Sequence, residues 1–252
     1  MWRQFHKAYD RLESVVALAI SGERRAIVGQ NAAMDLYWSR QVNSLGVWQE
    51  WVGVPIAFNG ATAHADAYAC GTGSGGLPVI FCHTSTALDQ SNFHVLKAVE
   101  SRPNEWVWAR TTIAAPAGFT GQAIPQVLPA QGDDLNPGAA LYLSANGLAY
   151  RSQWVTGHGA PAWSPWVQIN DATDQLVALS GSVCGGAGLV AAVFKDGSVK
   201  ISIQELGLTW TKWKPVTKPP ARAVAIKCIT DALGVVHVFV STKDGRIYKA
   251  EE

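Results

Sequence analysis

A tryptophan followed three residues later by a second tryptophan recurs along this chain, at Trp48-Gln-Glu-Trp51, Trp163-Ser-Pro-Trp166 and Trp210-Thr-Lys-Trp213. Trp106-Val-Trp108 is a tighter variant, and Trp2-Arg-Gln-Phe5 is the N-terminal counterpart. Successive first tryptophans are 46, 58, 57 and 47 residues apart, and the step from Trp210 through Glu252 round to Trp2 is 44. Five nearly equal steps that return to their start describe a closed array of repeats rather than an open one.

The segments between the anchors repeat as well. A first apolar run covers Val15 to Ile20, Ala67 to Cys70, Leu176 to Leu179 and Ala223 to Ile229, with Gln122 to Leu128 in the third unit. A second covers Arg25 to Val28, Leu77 to Cys82, Ala139 to Leu143, Leu189 to Phe194 and Val235 to Val240. A third covers Leu36 to Arg40, Phe93 to Lys97, Leu148 to Gln153, Ser198 to Gln204 and Arg246 to Ala250. Asn146-Gly147, Asp196-Gly197 and Asp244-Gly245 are turn signals before three of these third runs. The runs are strand-length and rich in Val, Ile, Leu and Tyr, and no segment keeps a helical period for three turns.

Three strands plus a fourth opened by the tryptophan pair make one propeller blade. The expected fold is all-β: a single five-bladed β-propeller over residues 1–252, with four antiparallel strands per blade. The last unit ends after three strands, so the segment around Trp2 to Tyr9 is expected to supply its fourth and cover an otherwise exposed edge. Small residues such as Ala17, Ala19, Ala69, Ala178, Ala191, Ala192, Ala223 and Ala225 suit the narrow positions near a propeller axis. The stretches Ala57 to Asp66, Pro103 to Glu105, Ala115 to Gln122, Gln131 to Pro137 and Gly157 to Ala162 read as surface loops.

Composition narrows the function. With a formal charge of +1 and no long basic run, the chain lacks the sequence signature of a nucleic-acid partner. No stretch is apolar enough to span a membrane, and Met1 to Tyr9 has no signal-peptide core. A soluble protein, cytoplasmic or exported without a signal peptide, is the expectation. Cys70, Cys82, Cys184 and Cys228 show no CxxC spacing and read as free thiols. The six histidines form no metal motif, so neither metal nor cofactor is expected. Gly71-Thr-Gly-Ser-Gly-Gly76 lacks the Lys-Ser/Thr of a phosphate loop.

Large rings in every repeat can fill the wedges between blades, or lie open as platforms for the apolar face of a sugar. The candidate platforms are Trp38, Trp48, Trp51, Trp163, Trp166, Trp210 and Trp213, with Arg40, Gln41, Arg151, Gln153 and Gln204 as polar partners. Tyr37-Trp-Ser-Arg-Gln41, Tyr150-Arg-Ser-Gln153 and Ile201-Ser-Ile-Gln204, each leading to its tryptophan pair, resemble segments of the tachylectin and tectonin propeller lectins and of the fucose-binding propeller lectins. The resemblance spans essentially the whole chain. It implies metal-independent glycan binding without catalysis, at several sites between blades, with fucosylated glycoconjugates as candidate partners and homo-oligomerisation left open. Several weak sites on one rigid ring would gain avidity on a glycan-coated surface. The second unit departs from the pattern at Asn92-Phe-His-Val-Leu-Lys97 and Trp106-Val-Trp108.

Two other classes are open. A protein-interaction propeller would use a loop face. A propeller glycosidase would need paired carboxylates, for which Asp10, Asp66, Asp174 and Asp231 are available but share no register.

Overall fold

The computed structural model describes residues 12–20, 24–43, 46–58, 61–62, 64–73, 76–86, 89–102, 105–116, 119, 123–128, 139–155, 162–171, 173–184, 187–205, 209–216, 218–231, 233 and 235–251. The fold is an all-β five-bladed propeller built of antiparallel sheets. Blade 1 comprises β1 (Leu12–Ile20), β2 (Arg24–Asn31), β3 (Leu36–Arg40) and β4 (Val52–Gly53). A small hairpin, β5 (Ala57–Phe58) and β6 (Ala61–Thr62), occupies part of the stretch expected to be a plain loop. Blade 2 comprises β7 (Ala67–Thr72), β8 (Pro78–Thr86), β9 (Asp89–Arg102) and β10 (Glu105–Ala114). Blade 3 comprises β11 (Ala123–Leu128), β12 (Ala139–Ser144), β13 (Ala149–Val155) and a fourth strand in two pieces, β14 (Ala162–Trp163) and β15 (Val167–Gln168). Blade 4 comprises β16 (Leu176–Cys184), β17 (Ala187–Phe194), β18 (Val199–Ile203) and β19 (Lys214–Pro215). Blade 5 is described as β20 (Ala223–Thr230), β21 (Val236–Thr242) and β22 (Ile247–Glu251). Its expected fourth strand, around Trp2 to Tyr9, lies outside the described residues.

Blades 1 and 2 belong to one compact unit and blades 3 to 5 to another. Within each unit the blades pack face to face. Strand β17 shows why its sequence is apolar at almost every position. Leu189, Ala191 and Val193 pack with blade 5, whereas the alternate Val190, Ala192 and Phe194 pack in the wedge shared with blade 3. A strand covered on both faces has no polar side to show. Ala191 and Ala192 thus sit on a second strand, fully buried, while Ala17, Ala19, Ala69, Ala178, Ala223 and Ala225 lie on first strands.

First strands of neighbouring blades are tied by side chains. Thr72 Oγ1 donates to the Ala19 carbonyl at 2.8 Å, and Thr230 Oγ1 makes the matching bond to the Val183 carbonyl. Ser180 Oγ accepts the Cys228 amide at 3.0 Å, and the Ser14 and Tyr68 hydroxyls pair at 2.9 Å. These bonds link the first strands of blades 1 and 2 and of blades 4 and 5 directly.

The turn into the third strand needs a left-handed residue. Gly147, Gly197 and Gly245 supply it with φ of 81°, 84° and 80°. In blade 1 the same place is taken by Met34 at φ 64°, which is why no glycine signal marks that turn in the sequence.

Candidate functional site

Hydrogen bonding aligns the tryptophan pairs residue by residue. Ser39, Ser152 and Ser202 hydroxyls donate to the carbonyls of Gln49, Ser164 and Thr211, at 2.7, 2.6 and 2.7 Å. Each acceptor is the residue after the first tryptophan of its pair. The serine therefore staples the third strand to the aromatic segment in blades 1, 3 and 4. The first tryptophan faces Gln41, Trp154 or Gln204 across the sheet. The short fourth strand begins directly after the second tryptophan, at Val52, Val167 and Lys214.

This register shows that the polar partners expected from the sequence are not equivalent. Counting from the stapling serine, Trp38, Arg151 and Ile201 share one position, and Arg40, Gln153 and Ile203 share another. Arg40 follows its serine and Arg151 precedes its own, so the two sit two positions apart on the same face, and each lies over the first tryptophan of the following blade, Trp106 and Trp210. Gln41 and Gln204 do match each other. Their side-chain carbonyls accept the backbone amides of Arg25 at 2.9 Å and Gly188 at 3.2 Å, tying strand three to strand two.

In blade 1, Trp38 is 3% and Arg40 1% exposed. Trp38 packs edge-on to Trp106 and Trp108, with ring centroids 5.9 and 5.1 Å away, and Arg40 Cζ lies 4.9 Å from the Trp106 centroid. Trp106 and Trp108 are two apart on a continuous strand and so share a face, unlike the three-residue pairs. These four residues fill the wedge between blades 1 and 2, and neither Trp38 nor Arg40 offers a surface to a ligand. Trp48 and Trp51 are half-buried.

In blade 3, Trp163 packs edge-on to Trp154 at 5.5 Å and Trp166 edge-on to Tyr142 at 5.0 Å, both within their own blade. Gln153 is buried.

Blades 3 and 4 enclose an open cleft of about 830 Å³. Its walls bring together Arg151 from β13 with Trp210 and Trp213 from the segment before β19. Arg151 Cζ stands 4.6 Å from the Trp210 ring centroid, a cation–π contact. Arg151 is 8% exposed, and burial lowers its pKa to about 10, so it remains charged at neutral pH. Trp213 donates its Nε1–H to the Ile169 carbonyl at 2.9 Å and packs edge-on to Phe194, so its polar end is committed to the fold. Trp210 Nε1 is buried in the cleft wall with no acceptor.

Sequence reading missed Asn170, which organises the floor of this cleft. Its side chain accepts the Ala149 amide at 2.8 Å and donates to the carbonyls of Gly147 and Asp174 at 3.1 and 2.8 Å. Only its position next to a turn hinted at such a role. Lys200 lies on the same wall, 3.6 Å from Asp174 and 4.1 Å above the Phe194 ring centroid.

The carboxylates considered for hydrolysis lie in separate blades or turns, each beside a cation or imidazole. Asp66 is 3.4 Å from His83, Asp174 3.6 Å from Lys200 and Asp231 2.9 Å from His237; Asp10 lies outside the described residues. Among the described residues no group of His, Cys, Asp or Glu could hold a metal ion. Among the described residues no helix is long and apolar enough to cross a membrane. Cys82 and Cys228 are free thiols, and burial pushes both up to about 12.

No protein-family model and no curated protein sequence matches the chain. Its fold, in contrast, matches solved propellers over nearly its whole length. It is similar to AofleA from Arthrobotrys oligospora, with 11% identity, TM-score 0.58, and coverage of 94% of this chain and 68% of that one. A fucose-specific lectin from Aleuria aurantia matches with 11% identity, TM-score 0.51, and coverage of 94% and 74%. A sialidase from Trypanosoma rangeli, in complex with the inhibitor DANA, matches with 9% identity, TM-score 0.56, and coverage of 94% and 46%. The fold therefore resembles that of the propeller lectins. At these identities the likeness concerns the fold alone.

Proposed function

We propose that this chain is a carbohydrate-binding propeller, a lectin without catalytic activity, and that the cleft between blades 3 and 4 is its principal binding site. The observation that carries this reading is the pairing of Arg151 and Trp210 in an open, polar-lined cleft. Arg151 lies over one face of the Trp210 indole, so a guanidinium with the geometry to grip two sugar oxygens and aromatic surface for the C–H side of a sugar ring meet on the same wall of the cleft. The cleft volume is within the range of small-ligand sites.

Fucosylated glycans enter through the resemblance to fucose-binding propellers. Binding at several blades is the second expectation of that resemblance. The register gives it less support, because blades 1 and 4 carry Trp38 and Ile201 where blade 3 carries Arg151.

A glycan array probed with the purified chain is the deciding experiment. Trp210→Ala should abolish the signal, whereas Trp51→Ala in blade 1 should leave most of it. Absence of binding to every glycan at high protein density would refute the lectin reading and favour a protein-interaction propeller.

A further inference from the structure

The cleft between blades 3 and 4 is longer than the Arg151–Trp210 contact that marks one of its ends. Trp210 stands opposite Gln204, just past the end of β18, and Lys200 lies four residues back along the same extended chain. Trp210 and Lys200 both line the cleft. At the rise of a strand, four residues set the two levels about 13 Å apart. The volume of about 830 Å³ falls toward the upper end of small-ligand sites, which run from roughly 300 to 1,000 Å³.

The two ends differ in chemistry. The Trp210 end is aromatic, with Arg151 over the indole and the half-buried Trp213 further along the wall. The Lys200 end is polar and carries groups of both kinds. Gln168 donates from Nε2 to the Asn170 carbonyl at 2.5 Å, which leaves its Oε1 as an acceptor, and Asp171 is exposed on the same lining. Asp174 is exposed too and stands 3.6 Å from the Lys200 ammonium. A sugar hydroxyl both donates and accepts, so acceptors set beside an ammonium donor suit its two roles. One pyranose ring does not reach from this end to the Trp210 indole, whereas a chain of roughly two or three such rings does.

Resting on the reading of this cleft as a saccharide site, we infer that it takes an oligosaccharide along its length, with one ring at the Arg151–Trp210 contact and a further ring held by Gln168, Asp171 and the Asp174–Lys200 pair. A site for one terminal sugar would need only the first of these ends.

The test uses ladders of oligosaccharides on the intact chain, read by calorimetry: fucose with fucosyl di- and trisaccharides, and the chitin and cellulose series from one to five residues. In at least one ladder, affinity should rise about ten-fold or more from one residue to three, the size expected of two or three added hydrogen bonds, and then level off once the cleft is filled. Gln168→Ala and Asp171→Ala, both at exposed positions, should together cut that rise to about two-fold. Asp171→Ala alone is the milder variant, and the melting temperature of each checks that its fold is kept. An undiminished rise in folded variants would overturn the inference, because the added rings would then rest elsewhere. Equal affinity at every length, in each ladder that binds, would overturn it while leaving the lectin reading in place. Binding of no ladder and no glycan on an array would overturn both.

Discussion

Met34 shows how a single residue can hide a repeat. It holds the left-handed turn position that glycine holds in blades 3, 4 and 5. A side chain there costs about 1 kcal/mol in backbone strain. Met34→Gly is therefore expected to raise unfolding stability by up to about 1 kcal/mol, measurable by urea denaturation. The reverse change discriminates among the glycines. A Cβ at Gly147 would lie 2.9 Å from the Leu176 carbonyl oxygen, whereas at Gly245 it meets nothing within 4 Å. Gly245→Ala should cost about 1 kcal/mol and Gly147→Ala clearly more, on the order of 2 to 3 kcal/mol. His83 gives a pH signature. Burial lowers its pKa below the ordinary histidine value of 6.5, with Asp66 opposing the shift. The unfolded chain then binds a proton more readily than the folded one, so stability falls as pH drops from 6.5 toward the folded-state value. Melting temperature should decline on acidification through that window. His83→Gln should flatten the decline; an unchanged slope would remove His83 as its source.

At the scale of elements, the serine staple is the unit that repeats most faithfully. Ser39, Ser152 and Ser202 use the same bond to hold the aromatic segment against the third strand. Replacing any one by alanine leaves a carbonyl without that donor and should cost about 1 kcal/mol. Urea unfolding of the three single mutants, compared side by side, checks whether the three bonds are equivalent. Blade 2 solves the same problem differently. Its third and fourth strands form a long continuous hairpin, β9 with β10, in register from Trp106 opposite Glu100 to Ala114 opposite Asn92. Continuity places Trp106 and Trp108 on one face, where they close over Trp38. The shortened spacing that set this unit apart in the sequence is thus a change from a two-piece outer strand to an unbroken one.

At the scale of the whole molecule, the proposed lectin reading puts the principal site in the cleft between blades 3 and 4. Calorimetric titration should accordingly give close to one ligand per chain, lost in Arg151→Gln; several equal sites would argue for the repeated-blade expectation. Much of the architecture was legible beforehand. Turn signals and apolar runs located most blade strands, and the tryptophan spacing counted the blades, because both follow from local periodicity and from rings filling repeated wedges. The site was only half legible. Arg151, Trp210 and Trp213 were named from their types, but so were Trp38 and Arg40, which lie in a sealed wedge. Neighbouring letters could not tell a sealed wedge from one that opens to a cleft, since that depends on which side chains the next blade brings against the same face. The chain's own sequence determined the number of blades and the strands that build them. Tertiary packing alone decided that Arg151 meets Trp210 across two blades, because that contact joins residues 59 positions apart that only the stacking of sheets brings together.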